Sequence, residues 1–310
     1  MPAISHNMSL SPWSPAGRRW ILGATAMIAL SFSATAAQWP LTLEVVTRDG
    51  YGMVPLNRPQ PNTLVVPISI KGRKLNVVVD TGFGADGIVL DSDLSSLGSG
   101  GVVEDVEIGN VLLKIAPVYF GKYQGLTALR HLVSVEGFLT NGFLRTNSAI
   151  VDLHNSRLYI RPPQTGRPVR IGPALERAGL VEAPFSISSQ GQCLVDVEVN
   201  GQHGKMILAT GAFLSGIDRR FASSMKMTRS DHALKTVDVG GAQTMGQLAA
   251  PGSFKIGGVP IHPPELTLND YGFYSSSGGR EVGLLGIDIL GQNWSIIDFG
   301  AQKIYFAESR

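Results

Sequence analysis

The chain has 310 residues, 44% hydrophobic and 16% charged, and its 26 Lys and Arg nearly balance 24 Asp and Glu. That balance leaves no basic field to attract nucleic acid or anionic lipid. A single cysteine, Cys193, excludes an internal disulfide and leaves a buried core as the source of stability, and the chain is long enough to build one in two compact lobes.

Residues 1–36 read as an export signal. Arg18-Arg19 precede an apolar stretch over 20–32, and Ala34-Thr35-Ala36 supplies the small residues that favour cleavage after Ala36. The stretch falls short of the roughly 20 apolar residues that cross a bilayer. Adjacent arginines followed by Trp20-Ile21-Leu22 also fit twin-arginine export. Loss of the segment removes Arg18 and Arg19 and brings the formal charge from +2 to 0. The expectation is a periplasmic or secreted protein with no membrane span in its mature form.

Beyond residue 36 the pattern is nearly all strand. Residues 64–70 and 194–199 are rich in β-branched side chains in partly alternating order, and each run ends in a turn, Lys71-Gly72 or Asn200-Gly201. The hairpins lead into apolar strands that end in Asp80-Thr81-Gly82 and Ala209-Thr210-Gly211. Two further hairpins are predicted at 149–160 and 295–306. A helix is predicted over 173–179, opened by Pro173 and closed by Gly179.

The chain repeats itself in register. Residues 63–82 lie over 192–211 at an offset of 129 (80 to 209), and 137–160 lie over 283–306 at an offset of 146 (152 to 298). Ile108-Gly109-Asn110 over Ile256-Gly257-Gly258, offset 148, puts the extra residues of the second copy upstream of Ile256. This predicts an N-terminal lobe over 37–160, a connection over 161–186 and a C-terminal lobe over 187–310.

With these tandem triplets, the element Leu284-Leu285-Gly286 followed by Ile287-Asp288, and the hairpin at Asp298, the chain resembles aspartic peptidases of the pepsin/retropepsin clan, in the bacterial single-chain form with two retropepsin-like lobes. The resemblance spans roughly 62–307. It implies an all-β fold of two pseudo-symmetric acid-protease β-barrel lobes with few short helices and a cleft between them, one triplet on each side. In such a cleft two aspartates share a proton, one drawing on a bridging water while the other donates to the substrate carbonyl. The resemblance assigns Asp80 as catalytic and Thr81, Gly82, Thr210 and Gly211 as supports of the active-site loops, the threonines bonding across the lobes.

The departures bear on activity. Ala209 stands where the second catalytic aspartate belongs, and general acid/base assistance is typically worth about 10² to 10⁴ in rate. Asp86 and Asp218 are the nearest carboxylates in sequence. In the first lobe, Phe83 follows the triplet where the family has alanine or serine, and Phe138-Leu139-Thr140 lacks the glycine of Leu284-Leu285-Gly286. Residues 91–107 are short for a flap, so a flap is expected in the second copy, around 237–248 with Gly240-Gly241 at its tip.

The remaining signals are structural. Gly98-Ser99-Gly100-Gly101 reads as a turn, since no lysine completes a phosphate loop. The histidines show no paired ligand spacing, so neither metal nor cofactor is expected. Asp152 and Asp298 precede hairpin turns and read as turn-stabilising. Residues 271–279 read as an exposed aromatic loop. Three functions stay open: a peptidase acting on peptides or unfolded proteins, a pseudopeptidase that binds extended peptide as sensor, inhibitor or scaffold, and a structural envelope protein. A monomer is expected, because a second lobe tethered at millimolar-scale effective concentration outcompetes a second molecule.

Overall fold

The computed structural model describes residues 46, 50–59, 63–98, 101–130, 133–161, 169–237, 243–262 and 264–307, all within the compact unit Pro40–Arg310. The export signal expected over 1–36 lies outside the described residues.

The first half runs β1 (Gly52–Pro55), β2 (Val65–Ile70), β3 (Arg73–Asp80), β4 (Ile88–Asp91), a 3-10 helix (Ser92–Leu97), β5 (Val102–Ile108), β6 (Val111–Gly121), α1 (Gln124–Arg130), β7 (Gly137–Thr140), α2 (Asn141–Thr146), β8 (Ile150–Asp152) and β9 (Arg157–Ile160). Strands β2-β3-β7-β4-β6-β5 close into a barrel. The hairpin from β2 to β3 turns through Lys71 and Gly72, both at positive φ (50° and 78°), a backbone that favours a glycine in the turn. Val77 and Val79 point into the main core. Val78, on the other face, joins a second apolar cluster with Val65, Val89, Phe138 and Leu126 of α1. A strand covered on both faces reads as an unbroken apolar run, which is why Val77-Val78-Val79 does not alternate.

The second half runs α3 (Gly172–Arg177), β10 (Leu180–Ile187), β11 (Cys193–Val199), β12 (Gln202–Ala209), β13 (Gly216–Asp218), α4 (Arg219–Ala222), β14 (Thr228–Val237), β15 (Gln243–Ala250), β16 (Phe254–Ile256), β17 (Val259–Ile261), β18 (Leu266–Asn269), α5 (Gly272–Ser276), β19 (Glu281–Gly286), α6 (Ile287–Gln292), β20 (Ile296–Asp298) and β21 (Lys303–Ala307). Helix α3 carries Pro173 in its first turn, and Gly179 follows it at φ 84°. The extra residues of this half are the antiparallel hairpin β14–β15. Its strands begin at Thr228, earlier than the flap expected from 237, and the expected tip at Gly240-Gly241 lies outside the described residues. In the first half the chain passes from the 3-10 helix to β5 with no such hairpin between described elements.

The halves join in one sheet, ordered β1-β9-β8-β20-β21-β10 before it continues into the second lobe. Strands β8 and β20 pair antiparallel, Ile150 with Asp298, Val151 with Ile297 and Asp152 with Ile296. This register is self-complementary at the 146-residue offset, so a pseudo-twofold axis passes between Val151 and Ile297. The repeat also reaches further upstream than the sequence resemblance. Met53 pairs with Tyr159 as Glu182 pairs with Tyr305, which makes β1 the counterpart of β10. The stretch 161–186 expected as a connection therefore contains α3 and nearly all of a lobe strand.

Candidate active site

Strands β3 and β12 deliver the two triplets to the junction of the lobes. Asp80 ends β3 opposite Thr140 of β7, and Ala209 ends β12 opposite Gly286 of β19, both in parallel register. Beyond them the loops interlock. The Thr81 N–H donates to Thr210 Oγ1 at 3.1 Å and the Thr210 N–H to Thr81 Oγ1 at 3.0 Å. Each hydroxyl then donates across the axis, Thr81 to the Leu208 carbonyl at 2.9 Å and Thr210 to the Val79 carbonyl at 2.7 Å. Both threonines are fully buried, so these four bonds satisfy groups that have no access to water.

Glycine is required in both triplets because the loops nearly touch. A Cβ on Gly82 would stand 2.9 Å from the Ala209 methyl, and one on Gly211 would run into the Asp80 carboxyl. The sequence-predicted set of Asp80, Thr81, Gly82, Ala209, Thr210 and Gly211 is thus one cluster. Asp80 Oδ1 accepts the Gly82 N–H at 2.8 Å, and the amides of Gly211 and Phe83 also bond its carboxyl. Burial raises its pKa above the ordinary carboxylate value, and the three amides only partly offset this. Asp80 is therefore a carboxyl that takes up a proton more readily than an exposed one, with a methyl group where a second carboxyl would share its proton.

Neither neighbouring aspartate fills that vacancy. Asp86 is solvent-exposed and pairs with Arg145 at 3.3 Å. Asp218 is buried beneath the start of α4, where it accepts the Arg220 N–H at 2.9 Å, the Arg220 guanidinium at 2.8 Å and the Tyr271 N–H at 2.9 Å. Burial alone would raise its pKa, but these donors outweigh it and hold the carboxyl below the usual value. Asp91 is its first-lobe counterpart: it ends β4, accepts the Asp93 N–H at 2.9 Å and pairs with Arg130 at 3.1 Å. This matched pair of strand-end caps was not found in the sequence because the partners, Arg130 and Arg220, lie at unrelated distances along the chain.

The first-lobe departures have local causes. The Thr140 hydroxyl reaches the Ala85 and Gly87 carbonyls at 2.6 and 2.5 Å, tying down the loop after the triplet. In the second lobe a Cβ on Gly286 would stand 2.8 Å from the Ala212 carbonyl oxygen, and the tie is made instead by Ser215, which accepts the Gly286 N–H at 2.8 Å and donates to Asp288 at 2.6 Å. Phe83 stacks on Phe138 with ring centroids 5.5 Å apart and meets Tyr123 edge-on at 5.7 Å, roofing the apolar cluster on the Asp80 side of the sheet. Residues 271–279, expected as a loop, include the short helix α5; Tyr271 stacks on Phe273 and Arg220 lies over the Tyr274 ring. Among the described residues no three or more His, Cys, Asp or Glu side chains gather to hold a metal, and no helix is long and apolar enough to cross a membrane.

The first-lobe barrel, its second-lobe counterpart in the open path β10-β11-β12-β19-β13-β18-β15-β14, the shared sheet and the interlocked triplets define the aspartic-proteinase fold of the pepsin and retropepsin type. The aspartyl protease family model matches residues 195–289, the part of the second lobe that carries Ala209-Thr210-Gly211 and Leu284-Leu285-Gly286. Similar solved structures include an aspartic proteinase from Irpex lacteus (12% identity, 84% of this chain and 98% of that one, TM-score 0.44). Basic 7S globulin from soybean (10%, 83% and 95%, 0.46) and conglutin gamma from lupine seeds (11%, 84% and 95%, 0.45) are similar as well. No curated protein matches the chain.

Proposed function

We propose that this is an exported aspartic-peptidase-type protein whose cleft takes extended polypeptide and whose peptidase activity is severely impaired or lost. One observation carries the reading: Ala209 sits at the position matching Asp80, while Thr81 and Thr210 keep the two loops interlocked. A protonated Asp80 can donate a hydrogen bond to a peptide carbonyl. It cannot at the same time withdraw a proton from water, and the carboxylate that would do so is missing. Thr81, Gly82, Thr210 and Gly211 keep the loops set for an extended chain even though the chemistry is disarmed.

A second reading, a non-catalytic pseudopeptidase serving as sensor, inhibitor or scaffold, draws support from β14, which ends the described sheet. A terminal strand offers unpaired backbone groups to which an extended ligand can add.

Both readings require polypeptide binding. Fluorescently labelled extended peptides and an unfolded protein, titrated against the full-length chain, are expected to bind saturably and to slow hydrogen exchange at the amides of residues 81–83 and 210–212. Absence of saturable binding by every peptide would sink both readings and leave the fold a purely structural one.

A further inference from the structure

The interlobe sheet carries one trio of side chains twice. Asp152, Arg157 and Tyr159 stand in the first lobe where Asp298, Lys303 and Tyr305 stand in the second. Both aspartates are buried, and each opens a hairpin turn. Their carboxyls are not equally satisfied. Asp152 accepts the Asn155 backbone N–H at 2.9 Å on Oδ1 and the Asn155 side-chain amide at 2.8 Å on Oδ2, with Arg58 acting on it as a counter-charge. Asp298 accepts the Ala301 N–H at 2.9 Å on Oδ1, and its buried Oδ2 has no hydrogen-bond partner.

Two substitutions between the lobes produce the difference. Ala301 stands where the first lobe has Asn155. Lys303, opposite Asp298 in the hairpin, turns its ammonium to Glu182, 2.6 Å from both carboxylate oxygens, and the first-lobe counterpart of Glu182 is the uncharged Met53. Other charged and titratable groups surround the site. Asp152 lies on the paired strand, opposite Ile296. Tyr305 on β21 feels Asp298, Glu182 and Glu176.

We propose that Asp298 is a pH-sensing residue of the interlobe sheet, which tightens when the half-bonded carboxyl takes up a proton. A buried carboxylate with one unbonded oxygen is costly, and protonation removes the charge that burial penalises. Desolvation raises the pKa to about 6 from a reference of 3.8, against the pull of the Ala301 and Gly300 amides and Lys303. A raised carboxyl pKa gives stability that is complete below the unfolded value and lost as pH rises through the folded one. Between pH 7.5 and 5.0 this corresponds to a gain of about tenfold in the folding equilibrium constant. The device is independent of the triplets around Asp80.

Urea unfolding of the full-length chain at pH 5.0 and 7.5, carried out in an Asp80→Asn background to remove the other buried carboxyl whose pKa is raised, tests it. The tenfold gain is expected in that background, is expected to vanish with Asp298→Asn, and is expected to shrink with Ala301→Asn, which supplies the amide that Asn155 supplies to Asp152. Retention of the full gain in Asp298→Asn overturns the proposal. Should that variant fail to fold, Ala301→Asn decides: a gain cut below about threefold supports the device, and an unchanged gain overturns it.

Discussion

Thr81 and Thr210 hold each other across the pseudo-twofold axis, the amide of each donating to the hydroxyl of the other at 3.1 and 3.0 Å. The pair joins two lobes that are also tied by backbone pairing between β8 and β20. Thr81→Val keeps the shape and leaves the Thr210 N–H and the Leu208 carbonyl unpaired in the interior. A loss of about 3 kcal/mol is expected in chemical unfolding. Adding Thr210→Val is expected to cost clearly less than a second such increment, because both variants break one network.

Asp80 predicts a pH effect of definite sign. Its pKa is raised by burial, so its contribution to stability is complete below the unfolded carboxyl pKa and is lost as pH rises through the folded value. Asp80→Asn should therefore be more stable than the unaltered chain at neutral pH, with the advantage fading towards pH 4. Thermal unfolding of the two proteins across that range checks the sign.

Gly84 predicts a steric effect between the lobes. A Cβ there would stand 2.6 Å from the Gln190 carbonyl oxygen of the second lobe, which is backbone and cannot swing aside. Gly84→Ala is expected to cost about 1–3 kcal/mol. It should also speed hydrogen exchange in residues 188–192, whereas alanine at Gly272, whose Cβ would meet nothing, should leave that segment unchanged.

The site was legible because chemistry fixes its residue types. Two loops that nearly touch need Gly82 and Gly211, and reciprocal bonding needs hydroxyls at Thr81 and Thr210, so the repeat survives as identical letters. Strands β1 and β10 were not legible, since Gly52–Pro55 and its partner share little beyond a final proline and their pairing is made by backbone groups. The helices α1 and α2 were missed for a related reason. Each is a short segment held by a sheet it packs on, with α2 started by the Thr140 hydroxyl that accepts the Phe143 N–H, and periodicity over six or seven residues is too brief to read. The role of Thr140 itself was invisible, because it was visible in sequence only as the loss of a glycine.

Asp218, one of the two carboxylates nearest the triplets in sequence, carries a prediction of a purely structural role. Its carboxyl is committed to Arg220 and to two backbone amides. Asp218→Asn should lower stability at pH 7 more than at pH 3, since a depressed pKa gives stability that is lost as pH falls through it. It should leave peptide binding at the triplets unchanged, as read by titration with the labelled peptides.

The most direct measurement is peptide-library cleavage from about pH 3 to 7, the range of carboxyl titration, by the full-length chain, Ala209→Asp, and Ala209→Asp with Asp80→Asn. The expected result is little or no cleavage by the unaltered chain, a gain of about 10² or more with Ala209→Asp, and loss of that gain when Asp80 is also replaced. Efficient cleavage by the unaltered chain that disappears in Asp80→Asn alone would show that one carboxyl suffices, and would contradict the disarmed site.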